Sequence, residues 1–367
     1  MTTIKANWLA EHGHEVFLVT SSQCGESDYF DLSPNVKHID FGIGFQAGMD
    51  NTNVIKKLIN KRDKMRKYEN SLRGFIYKIK PDIVVSTFSN DSDFLYKFND
   101  GSIKILEYHF SHDGYKSVIK YGNLGFLQSL VLLFKIHKQE SIAKKYDAFV
   151  VLTHEDAESW KGYKNLHVIP NMLTFESTKL SDCKTKRVIA VGRLDYQKKF
   201  DRLISIWERV HKNCPDWVLD IYGKGPDKSM LLEMIREKGL VDTVRINNPV
   251  RNIEEEYLKS SVLSMTSTYE GWGLVLTEAM TFGLPCIAYA CKCGPRDIIT
   301  DGQDGYLIDE NNIELYVEKL CYLLTNPITL KKYGIAAKYK SNNYKVDIIM
   351  KKWEELFQKL VNESTLK

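Results

Sequence analysis

Two glutamates, Glu270 and Glu278, bracket seven residues that open with Gly271-Trp272-Gly273. The run before them, Ser261-Val262-Leu263-Ser264-Met265, is apolar and reads as a buried strand, while Leu274 to Phe282 has helical composition. A strand, a glycine-containing turn and a helix N-terminus aim backbone N–H groups and the positive end of a helix dipole at whatever lies above the turn. A phosphate suits such a cradle. A carboxylate on either flank can accept hydrogen bonds from hydroxyls, so the chemistry on offer is recognition of a phosphate between two polyols, as in hexose–diphosphate–ribose. A plainer reading stands beside it, because a glutamate pair at this spacing and a lone Gly-x-Gly both arise by chance.

A second segment adds to the first. Val188-Ile189-Ala190-Val191 is a strand, and it runs into Gly192-Arg193-Leu194-Asp195-Tyr196-Gln197-Lys198-Lys199 ahead of a helix over 202–212. Arg193 and Lys198 leave one strand end together, where two cations can neutralise a diphosphate without a metal. Ile221-Tyr222-Gly223-Lys224-Gly225-Pro226 is a further strand-to-helix turn of the phosphate-cradling kind.

These segments need a scaffold. The expected strands 187–191, 218–222, 243–246, 262–265, 285–289 and 306–308 alternate with helical stretches, which argues parallel α/β architecture. Earlier in the chain, strands are expected at 15–20, 36–41, 82–87, 102–108, 147–152 and 166–169, with helices at 2–12, 53–80 and 122–145. The polar stretch after Pro170-Asn171 reads as a hinge. Helices over 331–344 and 346–360 close the chain.

Composition sets bounds. The 367 residues suit two domains with their own cores, and 51 basic against 47 acidic side chains leave a net charge of +4, too mild to demand a nucleic-acid partner. Seven cysteines are scattered; Cys291-x-Cys293 has no second pair at ligand spacing, so neither zinc nor a disulfide framework is indicated. Asn90-Asp91-Ser92-Asp93 has the look of an Asp-x-Asp metal motif but sits where a helix cap is expected, and no metal is assigned to it. There is no apolar run of the roughly 18 residues that a spanning helix needs. The helix over 53–80 carries ten cations against Asp63 and Glu69, either a solvated face or a dock for anionic head groups. The apolar run 124–134, flanked by Lys116, Lys120, Lys135 and Lys138, is either core-facing or interfacial.

Glu270 with Glu278, Gly192-Arg193-Leu194 with Lys198, and Gly294-Pro295-Arg296-Asp297-Ile298-Ile299 followed by Asp301-Gly302 and Gly305 resemble the retaining glycosyltransferases of family 4. The resemblance covers nearly the whole chain and is strongest in its second half. It implies a GT-B fold, two Rossmann-like doubly wound domains facing a cleft. An acceptor-side domain is expected over 1–170, a linker over 171–186, a nucleotide-sugar domain over 187–344, and a helix over 345–367 crossing back.

By the same resemblance Glu270 holds the sugar and Glu278 the ribose. Arg193, Lys198 and the helix opening at Gly273, Leu274 and Val275 would hold the diphosphate, with Gly192, Gly223 and Gly271 lining the site. His109 would approach the sugar from the first domain, with His112 as the alternative. No cofactor is implied beyond the donor, expected to be a UDP-sugar; the acceptor would be a lipid-linked glycan at the cytoplasmic face of a membrane. In the family a strand and Gly-rich loop precede residues like Ala6-Asn7-Trp8-Leu9-Ala10-Glu11-His12-Gly13-His14-Glu15-Val16, so the first domain is expected to be incomplete at its front. The strands near 15–20 and 82–87 must then pair directly or leave backbone groups unsatisfied. Two other readings remain, a non-catalytic nucleotide-sugar binder and a non-hydrolysing epimerase.

Overall fold

A computed structural model describes residues 1–23, 25, 30–45, 53–121 and 125–366. Cys24, residues 122–124 with Leu124 at the start of the apolar run, and the side chain of Lys120 lie outside the described residues. The first domain contains α1 (Thr2–Glu11), β1 (Val16–Thr20), β2 (Val36–Asp40), α2 (Val54–Ile79), β3 (Ile83–Ser86) and β4 (Ile103–Tyr108). It continues through α3 (His112–Tyr121), α4 (Phe126–Ala143), β5 (Ala148–Val151), α5 (His154–Ser159) and β6 (Leu166–Val168). The second runs β7 (Arg187–Val191), α6 (Phe200–Asn213), β8 (Val218–Tyr222), α7 (Lys228–Glu237), β9 (Val244–Asn247), α8 (Ile253–Leu258) and β10 (Val262–Met265). It ends with α9 (Leu274–Thr281), β11 (Cys286–Tyr289), α10 (Pro295–Ile298), β12 (Gly305–Ile308), α11 (Ile313–Thr325), α12 (Pro327–Ser341) and α13 (Val346–Thr365).

The second domain's sheet has the order β12-β11-β10-β7-β8-β9, with every pairing parallel. Strands buried on both faces read as continuous apolar runs, as Val262–Met265 and Cys286–Tyr289 do. From β7 the chain moves outward one way to β8 and β9, then returns beside β7 as β10 and moves the other way. The reversal leaves a crevice beyond the carboxyl ends of β7 and β10, where open α/β sheets bind ligands. Trp207, Leu203 and Ile204 fill one face of the sheet; Phe282, Tyr257 and Met280 fill the other.

Among the described residues the first domain holds two separate sheets, β1-β2 and β3-β4-β5-β6, both parallel. β1 and β3 do not pair with each other, so the direct pairing weighed from sequence does not occur, and each strand is the edge of its own sheet. α13 crosses to this domain: Ile349, Met350, Trp353 and Leu356 pack with Ile103, Ile105 and Val150. Each such fully buried aliphatic chain stabilises the contact by roughly 1.5–3 kcal/mol.

α2 and α4 share a core at their C-terminal ends through Tyr68, Leu72, Ile76, Ile142 and Ala143. The first turns of α4 stand clear of it, with Phe126 78% and Phe134 73% exposed and Leu127, Leu130, Val131 and Leu133 exposed beside them. The core-facing alternative for this stretch is therefore not what the structure adopts. α12 starts at Pro327, four residues before the position read from sequence, because Asn326 caps it by accepting from the Thr329 N–H at 3.1 Å.

Candidate active site

The loop after β7 is folded by Asp195. Its carboxylate accepts from the N–H groups of Gln197 at 3.1 Å and Lys198 at 3.3 Å, an Asx-type turn. Lys199, at φ 52°, then opens α6. At Gly192 a Cβ would press on the Lys198 side chain at 3.1 Å, and at Gly223 it would strike the Gly192 carbonyl at 1.9 Å. The two glycines thus let the ends of β7 and β8 and the lysine stem lie against one another.

The loop after β10 is stitched to this one. Gln197 accepts from the Thr268 N–H at 2.9 Å and donates through Nε2 to the Tyr269 carbonyl at 3.0 Å; Thr266 donates to the Lys199 carbonyl at 3.0 Å. Lys198 Nζ is consequently 2.6 Å from Glu270 Oε1, and Glu270 is only 5% exposed. Gly273, at φ 89°, turns the chain into α9 in a left-handed conformation that a side chain would strain. Leu274 and Val275 form the first turn of α9, where N–H groups lack intrahelical acceptors.

Glu278 sits one helical turn further on. Its Oε1 accepts from Thr174 Oγ1 at 2.7 Å and its Oε2 from Tyr257 Oη at 3.1 Å. Burial holds its carboxyl above the ordinary carboxylate range; the two hydroxyl donors and the charge of Lys198 oppose that shift.

The structure therefore brings Lys198, Glu270, Glu278, Gly192, Gly223, Gly271, Gly273, Leu274 and Val275 to one crevice. Arg193 stands at its mouth: the side chain is 71% exposed and faces Asp195 at 3.0 Å and Gln197 at 3.1 Å. The expectation of two cations side by side thus becomes one inside and one at the rim. Thr174, Tyr257, Gln197 and Asp195 were not singled out from sequence. Thr174 lies 104 positions from Glu278 in the stretch read as a linker, and no spacing pattern connects them.

The first domain closes over this crevice. A Cβ on Gly271 would lie 2.2 Å from the His109 carbonyl oxygen, so the two backbones touch across the domains. His109 Nε2 is 3.2 Å from Glu107 Oε1. His112 belongs instead to its own domain, buried against Trp160 with Nε2 2.9 Å from Glu140. Around the seam His154 N–H donates to Asp297 at 2.9 Å, Cys293 N–H to Glu155 at 2.8 Å, and Arg296 pairs with Glu155 at 3.1 Å. Buried Cys293 Sγ lies 3.2 Å from Ser111 and 3.4 Å from Asp156. Asn90–Asp93 forms a 3-10 turn in which Asp93 pairs with Lys138, and among the described residues no group of three His, Cys, Asp or Glu side chains is arranged to hold a metal.

Residues 174–340 match the family described as "Glycosyl transferases group 1". The amylovoran biosynthesis glycosyltransferase AmsD of Erwinia amylovora is 40% identical over 217 residues, covering 56% of this chain and 61% of that protein. The chain thus spans less than two thirds of the length of this relative. A sucrose-phosphate synthase structure from Thermosynechococcus elongatus superposes with a TM-score of 0.78 at 17% identity, over 98% of this chain and 92% of the other. A structure of S. aureus TarM in complex with fondaparinux, alpha-GlcNAc-glycerol and UDP gives 0.65 at 24% identity, over 78% and 58%. The sequence match falls on the half that supplies Lys198, Glu270 and Glu278, and the structural match runs through both domains. Residues 174–340 are accordingly similar to the glycosyl transferases group 1 family, and the chain as a whole has the GT-B fold of two facing Rossmann-like domains.

Proposed function

We propose that this protein is a retaining glycosyltransferase that moves a hexose or N-acetylhexosamine from a nucleoside-diphosphate sugar, expected to be a UDP-sugar, to a glycan hydroxyl in surface polysaccharide assembly. One observation carries the reading: Lys198 and Glu270, 2.6 Å apart, stand at the crevice between β7 and β10 beside the N-terminus of α9, with Glu278 one turn along. The names of the relative in amylovoran biosynthesis and of the UDP complex agree with it in substrate class.

In the reaction the bond between the anomeric carbon and the β-phosphate oxygen breaks, and a new one forms to the acceptor oxygen on the same face. Charge collects on the leaving diphosphate. Lys198 and the amides of Leu274 and Val275 meet that charge, with Arg193 reaching in from the rim, so fixed dipoles and a lysine serve where other transferases use a metal. Glu270 turns from Lys198 to the sugar hydroxyls, and Glu278 receives the ribose. His109 faces the sugar from the first domain. The leaving phosphate accepts the proton of the attacking hydroxyl.

Incubation with a panel of radiolabelled nucleoside-diphosphate sugars, with and without a lipid-linked glycan acceptor, tests this. Label transferred to acceptor supports the reading. Binding of a nucleotide sugar without transfer supports a second one, a non-catalytic binder, which the divided sheet of the first domain favours. Interconversion of the sugar without acceptor would mark an epimerase.

A lipid-linked acceptor also fits the outer face of the first domain. The first domain carries both the exposed apolar turns of α4 and α2, whose residues 54–79 hold nine cations and two acids. That pairing suits peripheral contact with an anionic bilayer. Among the described residues no helix is long and apolar enough to cross a membrane. Co-sedimentation with phosphatidylglycerol vesicles that Phe126→Ser and Phe134→Ser abolish is the expected result; equal sedimentation of the variant contradicts it.

A further inference from the structure

Along an extended strand side chains two positions apart share a face, and at the end of β4 this places Glu107 and His109 side by side. Glu107 is buried, and each of its oxygens has a different neighbour. Oε2 lies 2.7 Å from Lys5 Nζ of α1, and Oε1 lies 3.2 Å from His109 Nε2. Lys5 is also buried, its Nζ 3.5 Å from the centre of the Trp353 ring of α13. A line of charge thus runs from the contact of the C-terminal helix, through the core of the first domain, to the histidine that touches Gly271.

Two features ask for an explanation. A buried lysine–glutamate pair adds little to stability over apolar residues of the same volume, so packing alone does not account for it. The carboxylate is also held firmly ionised. Burial alone would raise its pKa, but Lys5 beside it, with His109 next, brings it down to about 2. A permanent anion at 3.2 Å from Nε2 favours a proton on that nitrogen. In the neutral imidazole the proton then sits on Nε2, and Nδ1 is left as the lone-pair acceptor.

We propose that Glu107, charge-balanced by Lys5, is a positioning residue that fixes His109 in its Nε2–H tautomer and presents Nδ1 as a hydrogen-bond acceptor for a sugar hydroxyl in the cleft. This rests on the reading of His109 as facing the sugar. Its backbone lies against Gly271 of the second domain and its ring against Glu107 of the first, and the two contacts together restrict its orientation at the cleft. The device selects a donor hydroxyl, because an acceptor nitrogen gains nothing from another acceptor.

The test uses the full chain labelled with ¹⁵N. Long-range ¹H–¹⁵N correlation spectra at pH 8 report which ring nitrogen of each histidine carries the proton, and the signal missing from His109→Gln assigns His109. The expected spectrum has the proton on Nε2. In the double variant Lys5→Met/Glu107→Leu, which removes both charges at similar volume, that preference is lost and the two tautomers mix. Transfer turnover should fall about tenfold, with UDP affinity unchanged because the second domain holds the nucleotide. A wild-type His109 protonated on Nδ1 overturns the proposal without any variant. So does a folded double variant whose His109 signals match the wild type. The ring spectra need no substrate, so a failure of the transferase reading would leave this result legible.

Discussion

Gly271→Ala is the substitution whose consequence the structure fixes most tightly. Gly271 is not among the residues with positive φ, so alanine meets no backbone strain there. Its Cβ, however, would lie 2.2 Å from the His109 carbonyl oxygen, 3.0 Å from the carbonyl carbon and 3.4 Å from Phe110 Cα. A carbon and a carbonyl oxygen settle at roughly 3.3 Å, so the backbones must part by about 1 Å. Overpacking of this kind costs about 1–3 kcal/mol. Because the colliding atoms belong to different domains, the cost falls on the closed arrangement and not on either core. That lowers the closed-to-open equilibrium constant about 5- to 150-fold. The assay is transfer kcat/KM, read beside UDP affinity and the radius of gyration from X-ray scattering. The expectation is a fall in kcat/KM of that size, an expanded particle and intact UDP binding. Gly74→Ala, within α2, serves as the control, since a Cβ there meets nothing within 4 Å. Wild-type kcat/KM and radius in Gly271→Ala would refute the argument.

Three further outcomes follow from the same geometry. Lys198→Ala should lower turnover more than donor binding, since the ammonium acts on charge that develops as the bond breaks; a loss confined to KM contradicts that role. Glu278→Gln should weaken donor binding, and in the wild type donor affinity should fall with pH through a value above the ordinary carboxylate range, because burial raises this carboxyl. An unchanged affinity in the variant would remove the ribose assignment. Stability should fall in acid. Glu107 and Glu256 both titrate at about 2 in the fold, held down against burial by Lys5 in one case and by Tyr222 and Arg187 in the other. Their unfolded values are near about 4.3, so their stabilisation is present above that and lost as pH drops toward about 2. Urea midpoints that stay level between pH 5 and pH 2.5 would contradict this.

The second domain was legible because its physics is local. Strands such as Val262–Met265 are short apolar runs closed by Gly-containing turns, and the turns themselves carry Lys198, Glu270 and Gly273. What escaped was set by packing between distant segments. Thr174 and Tyr257 reach Glu278 only in the folded chain, and Glu107 was passed over because nothing in Ile105-Leu106-Glu107-Tyr108 announces a lysine 102 positions earlier. Arg193 was placed beside Lys198 because both leave one strand end. The Asx-type turn at Asp195 turns one inward and leaves the other in solvent. In the first domain the alternation of elements was readable, and of the two outcomes weighed for the strands near 15–20 and 82–87 the structure takes the one without direct pairing. Neither strand's own sequence says whether β1 and β3 pair.

A diphosphate held between Lys198 and the first turn of α9 is the central claim. Soaking or co-crystallising the protein with UDP and locating the β-phosphate addresses it most directly. The phosphate should lie within hydrogen-bond distance of Lys198 Nζ and the Leu274 and Val275 amides, with Glu278 on the ribose and the Lys198–Glu270 pair of 2.6 Å opened. A bound nucleotide elsewhere, with Lys198 still closed on Glu270, would contradict it.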